Sequence, residues 1–110
     1  MLAFYYQLIQ AGNTDPAILR DYAVVESLVA GVDPQKVIGV IQQESRFNHK
    51  ALNPNDKGCR SRGLVQIREC NHKVTDDEAF NPIYSVNFLI KNIEKCETWW
   101  KATCRVKKPE

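Results

Sequence analysis

Residues 33–45 of the chain read DPQKVIGVIQQES and combine a helix start with a helical pattern of apolar residues. Asp33 before Pro34 is the N-cap residue and first-turn proline that open many helices. The apolar residues that follow have the spacing of one helical face. They are Val37, Ile38, Val40 and Ile41. The pattern predicts a core helix from Pro34 to about Ser45.

The same start signal occurs at Asp15-Pro16 and at Asn81-Pro82. Apolar residues at helical spacing follow each pair, and Gly31 is a suitable stop for the first. We therefore predict helices from Pro16 to Ala30 and from Pro82 to about Cys96. Their predicted buried residues are Ile18, Tyr22, Val25 and Val29 in one, and Ile83, Val86, Ile90 and Ile93 in the other. The chain is expected to be mainly α.

The segment between these helices has turn chemistry in place of a helical period. Residues 53–58 read NPNDKG, which predicts a long loop over residues 48–63. Long loops within a small domain are often functional, so this loop is a candidate binding surface. The apolar run Gly63–Ile67 that follows is too short to distinguish a strand from a helical turn. We expect at most a minor β element.

The composition describes one globular domain. The chain has 110 residues, of which 44% are hydrophobic and 25% charged, with a net charge of +2. Residues 1–104 are expected to form a single domain and residues 105–110 a basic tail. The small basic excess does not favour nucleic acid as a partner. No apolar run reaches the roughly 18 residues of a membrane span, and residues 1–11 lack the positive start of a signal peptide.

The cysteines indicate an oxidising compartment, because their number is even and the chain is small. They are Cys59, Cys70, Cys96 and Cys104. Three pairings are open, and one of them joins Cys59 to Cys70 and Cys96 to Cys104. His49 and His72 are also metal-ligand types, but no Cys-x-x-Cys spacing occurs. We therefore expect no zinc site.

Glu44 interrupts the apolar pattern of the helix that starts at Pro34. It lies three residues after Ile41 and seven after Val37, which places a carboxyl group on the packed face. Removal from water raises the pKa of a carboxyl group, and a protonated glutamic acid is a suitable general acid. Alternatively, Glu44 reaches solvent at the helix end or pairs with Arg46.

The residues around Glu44 resemble the soluble lytic transglycosylase domain, a branch of the lysozyme superfamily that includes goose-type lysozymes. The resemblance rests on Glu44-Ser45-Arg46-Phe47-Asn48, on Gly63-Leu64-Val65-Gln66, and on Asn81-Pro82 where the family has Asp-Pro. It spans about residues 31–95. It implies a lysozyme-like helical domain without a cofactor.

The resemblance also implies site residues. Glu44 matches the catalytic acid, and Gln66 matches the glutamine that lines the substrate groove. Gly63, Leu64 and Val65 match the groove wall. Asn53 falls where the family often has a serine that polarises the substrate.

The chain departs from the family near its end, because the later Tyr-Asn-Ala-Gly motif is absent. Residues 96–104, which contain Trp99 and Trp100, stand in its place. Tyr84 or Tyr22 could supply the missing phenol. The tryptophans either stack on sugar rings or pack within the fold.

The implied activity is cleavage of the β-1,4 bond between N-acetylmuramic acid and N-acetylglucosamine in peptidoglycan glycan strands. Glu44 would act first as acid and then as base, giving a 1,6-anhydro end. We expect a monomer that acts outside the cytoplasm.

Two alternatives stay open. A hydrolytic goose-type lysozyme would need a second carboxylate, for which Asp56 and residues 76–78, predicted as a solvated loop, are candidates. A peptidoglycan-binding module without turnover would explain the missing tyrosine motif.

Overall fold

The computed structural model describes residues 2–93, which form five helices and a three-stranded antiparallel sheet. The helices are α1 (Leu2–Gln10), α2 (Pro16–Ala30), α3 (Pro34–Ser45), α4 (Asp76–Phe80) and α5 (Pro82–Asn92). The strands are β1 (Leu52–Asp56), β2 (Cys59–Arg62) and β3 (Ile67–Arg68), in the order β1-β2-β3. The prediction of a mainly α fold with a minor β element is confirmed.

The three predicted helix starts are confirmed, because α2, α3 and α5 each begin at the expected proline. The residue before each proline caps the helix through its side chain. Asp15 accepts from the backbone N–H groups of Ala17 and Ile18, and Asn81 accepts from those of Ile83 and Tyr84. The predicted continuation of α5 towards Cys96 lies outside the described residues.

The predicted buried face of α2 is partly wrong. Val29 is 68% exposed, and Ile18 and Val25 are only partly buried, whereas Tyr22 is buried as predicted. The residues that do pack have an equally good helical spacing: Leu19, Tyr22, Ala23, Glu26 and Ser27. Two of them, Glu26 and Ser27, are polar, so the apolar pattern alone indicates the neighbouring stripe.

Two helices were not predicted. Helix α1 covers the apolar start of the chain and buries Ile9 in the core. Helix α4 begins in the acidic run that we predicted as a solvated loop, so that prediction was wrong. Thr75 and Glu78 form a reciprocal capping box there, and the acidic first turn suits the helix dipole.

The predicted loop over residues 48–63 contains a hairpin instead. Strands β1 and β2 pair through a two-residue turn at Lys57 and Gly58, whose φ values of 55° and 91° are both positive. Strand β1 is polar and mostly exposed, so it shows no apolar alternation in the sequence. Cys59 and Cys70 form a disulfide, which belongs to one of the three pairings left open by the sequence, while Cys96 and Cys104 lie outside the described residues.

The core lies between the helices and the back of the sheet. Tyr22 of α2, Ile41 of α3 and Leu89 of α5 are fully buried there. The turn between β2 and β3 adds Leu64 and Val65, which are also fully buried. The sequence left Gly63–Ile67 open between a strand and a helical turn. In the structure, residues 63–66 form a turn and Ile67 begins β3. No helix within residues 2–93 is both long and apolar enough to cross a bilayer.

Candidate active site

Glu44 lies in the last turn of α3, where the chain bends sharply. Arg46 and Phe47 both have left-handed backbones, with φ of 54° and 62°. The N–H of Arg46 closes the helix on the carbonyls of Ile41 and Gln42, and Phe47 is 3% exposed. This bend turns the chain towards β1. At this end of α3 the side chain of Glu44 is half-buried.

A cavity of about 670 Å³ lies beside Glu44. Its wall is built from the end of α3, the β1–β2 hairpin, β3 with the segment after it, and α5. The lining residues that bear on the chemistry are Glu44, Asn53, Asp56, Gln66, Arg68, His72 and Phe88. The structure thus brings three of the predicted site residues together, namely Glu44, Asn53 and Gln66.

The environment of Glu44 favours its protonated form. Burial raises the pKa of this carboxyl group above its usual value, and the negative charge of Asp56 raises it further. Within residues 2–93, Glu44 forms no ion pair with Arg46 or any other residue. A carboxyl group that holds its proton and lines an open cavity can donate that proton to a ligand.

Gln66 is fixed by its own backbone and by its amide. Its φ of 53° is left-handed, and its Nε2 donates to the carbonyls of Gly63 at 3.0 Å and Ala51 at 3.2 Å. Both bonds use the amide nitrogen. The Oε1 atom is therefore the part of this side chain that can accept a hydrogen bond from a ligand.

Gly63, Leu64 and Val65 lie behind the cavity wall, not on its surface. All three are buried, and none lines the cavity. Gly63 has a φ of 82°, and a Cβ atom there would collide with the backbone carbonyl of Ala79 in α4. Only glycine fits this close approach. Gly63 therefore lies packed against α4 while its carbonyl accepts from the amide of Gln66.

Tyr84 does not line the cavity of Glu44. It lies on α5, one helical turn before Phe88. It lines a neighbouring cavity of about 360 Å³, and its ring stacks on Phe88 with centroids 6.3 Å apart. Phe88 lines both cavities, so Tyr84 extends the same face. Tyr22 is fully buried and donates to Glu26, so it cannot supply a phenol to the groove.

Of the candidate second carboxylates, Asp56 lines the cavity. Its Oδ2 accepts a hydrogen bond from Ser61 at 2.6 Å. Asp76 instead pairs with Arg60 and Arg62, and it lines a different depression. Trp99 and Trp100 lie outside the described residues. Within residues 2–93, no group of three or more histidine, cysteine or acidic side chains is placed to hold a metal ion.

Arg68, His72 and Phe88 were not assigned to the site from the sequence, although all of them line the cavity. His72 meets the ring of Phe88 edge to face at 5.1 Å, and burial lowers the pKa of its imidazole. In the sequence, His72 stands out only as a metal-ligand type, and Phe88 lies within the helix predicted from Pro82. Arg68 follows the Gly-Leu-Val-Gln motif by two residues, and its proximity to that motif was the only available signal.

A mainly helical domain with a short sheet and a half-buried glutamate beside an open groove defines the lysozyme-like class. The chain matches the model of the transglycosylase SLT domain over residues 15–104. It belongs to this family, whose members act on peptidoglycan. No curated protein and no solved structure matches the chain significantly.

Proposed function

We propose that the protein is a peptidoglycan lytic transglycosylase in which Glu44 serves as acid and then as base. The observation that carries this proposal is the position of Glu44: half-buried at the end of α3, on the wall of the cavity that Gln66 also lines. Its raised pKa suits the first step, which needs a proton donor.

In the first step, Glu44 gives its proton to the oxygen of the bond between N-acetylmuramic acid and N-acetylglucosamine. The bond breaks, and positive charge develops at C1 of the muramic acid. Glu44, now a carboxylate, takes the proton of the C6 hydroxyl, and that oxygen bonds to C1. The product is a 1,6-anhydro end. Water is not consumed, and no cofactor is needed.

The other cavity residues bind the strand. The Oε1 of Gln66 can accept from a sugar hydroxyl or acetamide, and Asn53 offers an amide on the exposed face of β1. The ring of Phe88 can pack against the apolar face of a sugar, with Tyr84 extending that surface. Gly63 acts indirectly, because its carbonyl accepts from the amide of Gln66, and Leu64 and Val65 belong to the core beneath it.

One observation favours the hydrolytic alternative. Asp56 lines the same cavity and is close enough to raise the pKa of Glu44. A second carboxylate in that position could activate a water molecule, as in many glycosidases. Asp56 would then be essential for turnover, whereas a transglycosylase would need only Glu44 for proton transfer.

The test is mass spectrometry of the soluble products released from purified peptidoglycan by the wild type, Glu44→Gln and Asp56→Asn. Anhydro-muropeptides from the wild type and none from Glu44→Gln would support the proposal. Reducing-end products that require Asp56 would make the protein a lysozyme. If no products form and the protein sediments with the polymer, it is a binding module.

Action on peptidoglycan implies a place outside the cytoplasm. The disulfide between Cys59 and Cys70 is compatible with that, because such bonds persist in oxidising compartments.

A further inference from the structure

Asn53, Ser61 and Arg68 form one row across the three strands. Ser61 is the register partner of Asn53 in β1 and of Arg68 in β3. Paired residues of antiparallel strands present their side chains on the same face of the sheet. Since Asn53 and Arg68 line the cavity of Glu44, this row belongs to the face of the sheet that bounds it.

Arg68 donates hydrogen bonds to the turn of the β1–β2 hairpin. Its Nε donates to the carbonyl of Asp56 and its Nη2 to the carbonyl of Lys57, both at 3.0 Å. Its Nη1 donates to Oδ1 of Asn71 at 2.6 Å. The planar guanidinium thus bridges two successive carbonyls of the turn and ties them to the segment after β3.

Two residues of this row, Arg68 and Ser61, therefore bind Asp56, one at its backbone and the other at its side chain. Arg68 binds its backbone carbonyl, and the hydroxyl of Ser61 donates to its carboxylate at 2.6 Å. Ser61 is 1% exposed, so this hydroxyl is fixed by its surroundings. The pairing between β1 and β2 is irregular between Asn53 and Asp56, so the strand ladder alone holds this part of the hairpin weakly.

We propose that Arg68 is a positioning residue that, together with Ser61, holds the carboxylate of Asp56 in the cavity with Glu44. The role in catalysis rests on the proposed function, whereas the positioning does not. Within residues 2–93, no hydrogen bond or ion pair joins Arg68 to Glu44, so we place its effect through Asp56. By keeping the negative charge of Asp56 near Glu44, it keeps the proton on Glu44 that the first step consumes.

The charged and titratable groups around Glu44 determine how the test is designed. Those that line the cavity with Glu44 are Asp56 and Lys57 on the hairpin, Arg68 on β3 and His72 after β3, and Arg46 follows Glu44 at the end of α3. Removing the positive charge of Arg68 would by itself raise the pKa of Glu44, in opposition to the proposed effect. Arg68→Lys avoids this, because lysine keeps the charge but cannot bridge two carbonyls as guanidinium does.

The experiment is a pH titration of the Glu44 carboxyl carbon by NMR in protein labelled with ¹³C-glutamate. The signal that is missing from Glu44→Gln assigns the resonance. We expect Asp56→Asn and Arg68→Lys each to lower the pKa of Glu44 relative to the wild type. In the Asp56→Asn background, Arg68→Lys should cause no further change, because its effect passes through Asp56.

Arg60→Lys is the matched control. Arg60 lies on β2 and makes several hydrogen bonds to Glu69 and Asp76, but it does not line the cavity of Glu44. It should leave the titration of Glu44 unchanged. An unchanged titration in Arg68→Lys, or an equal change in Arg60→Lys, would overturn the proposal.

Ser61→Ala tests the other end of Asp56 if Arg68→Lys does not fold. The change removes a single oxygen from a buried site, so it adds no steric conflict. It should lower the pKa of Glu44 as well, because it frees the carboxylate of Asp56. If the pKa of Glu44 is unchanged in a folded Ser61→Ala protein, the proposal that Ser61 and Arg68 position Asp56 is wrong.

A rate profile for peptidoglycan cleavage separates positioning from function. In Arg68→Lys the alkaline limb, where Glu44 loses its proton, should move to lower pH. If the wild type releases no products but the titration shifts as expected, the proposed function fails and the positioning stands. If cleavage proceeds and neither the titration nor the limb moves, only the positioning fails.

Discussion

Glu26 on α2 and Glu44 on α3 are both glutamates on the packed side of a core helix. Glu26 is 7% exposed, and its Oε2 accepts from the hydroxyl of Tyr22 at 2.8 Å and from that of Tyr6 at 3.5 Å. Glu44 is half-buried, and within residues 2–93 its carboxyl group has no hydrogen-bond partner. One glutamate lies in a closed cluster, and the other faces a cavity.

The difference shows what distinguishes a structural buried carboxyl group from a reactive one. Hydrogen bonds to Glu26 compensate for its removal from water, and the partners are large aromatic residues that fill the core. Glu44 is partly removed from water without that compensation, beside a space that a ligand can enter. Uncompensated polar groups in clefts are where chemistry is expected.

The largest expected difference between the two glutamates is in turnover, when each is replaced by glutamine. Glu44→Gln removes the proton donor, and we expect turnover to fall by at least about a hundredfold. Glu26→Gln keeps an oxygen that can accept from Tyr22, so turnover per folded molecule should remain within a few-fold of the wild type. Both are measured by release of soluble muropeptides, with folding checked by circular dichroism. Equal losses in the two variants would erase the distinction.

Gly63→Ala tests how far the groove depends on its support. The added Cβ would collide with the carbonyl of Ala79, and the φ of 82° is itself unfavourable for alanine. We expect a loss of about 4 kcal/mol in the free energy of unfolding, from overpacking and backbone strain together. Urea denaturation measures this loss.

Gly58→Ala is the control for Gly63→Ala. Its φ of 91° is equally left-handed, but a Cβ there would meet no atom within 4 Å. Only the backbone strain should then lower the free energy of unfolding, by about 1 to 2 kcal/mol. If the two variants lost equal stability, the contact between Gly63 and α4 would not matter, and Gln66 would not depend on it.

Glu26→Ala should destabilise the folded protein more than Glu44→Ala does. The buried hydroxyl of Tyr22 would lose the shorter of its contacts, and a small void would form between α1 and α2. We expect about 3 kcal/mol of destabilisation, which thermal unfolding would report as a decrease in Tm. Glu44→Ala leaves no partner unsatisfied, so its Tm should change much less. A reversed order would contradict the assignment of Glu26 as structural.

The same comparison explains which parts of the molecule could be predicted from the sequence. The starts of α2, α3 and α5 were predicted, because a capping side chain and a proline act within a few residues of each other. The position of Glu44 on a packed face followed from helical spacing alone. These are local rules, and the structure obeys them.

The closed cluster and the hairpin could not be predicted in this way. Glu26 accepts hydrogen bonds from Tyr22 one turn earlier and from Tyr6 of α1, and Ser27 donates to the carbonyl of Ala23. Apolar spacing carries no information about such polar contacts. Strand β1 is polar and exposed, so its pairing depends on β2 and on the turn at Lys57 and Gly58. The partners of Arg68 are backbone carbonyls of that hairpin, so its position depends on the same pairing.

The smallest predicted effect concerns pH and stability, and it also distinguishes the groove from the rest of the surface. The pKa of Glu44 is raised in the folded state, so the folded protein holds this proton more tightly than the unfolded chain. The corresponding stability is present below the ordinary pKa of glutamate and is lost as pH rises through the folded-state value. Glu44→Gln does not titrate. Its Tm relative to the wild type should therefore increase between about pH 3.5 and pH 7.

Glu69→Gln provides a control of opposite sign. Hydrogen bonds from Arg60 lower the pKa of Glu69 in the folded state, so its contribution is present above the ordinary glutamate pKa and is lost as pH falls. The Tm of Glu69→Gln relative to the wild type should decrease as pH rises from about 2.5 to about 5. The change should be modest, because Glu69 is on the surface and solvent screens its ion pair. If both variants followed the same trend, the raised pKa of Glu44 would not be a property of its own site, and the contrast with Glu26 would rest on geometry alone.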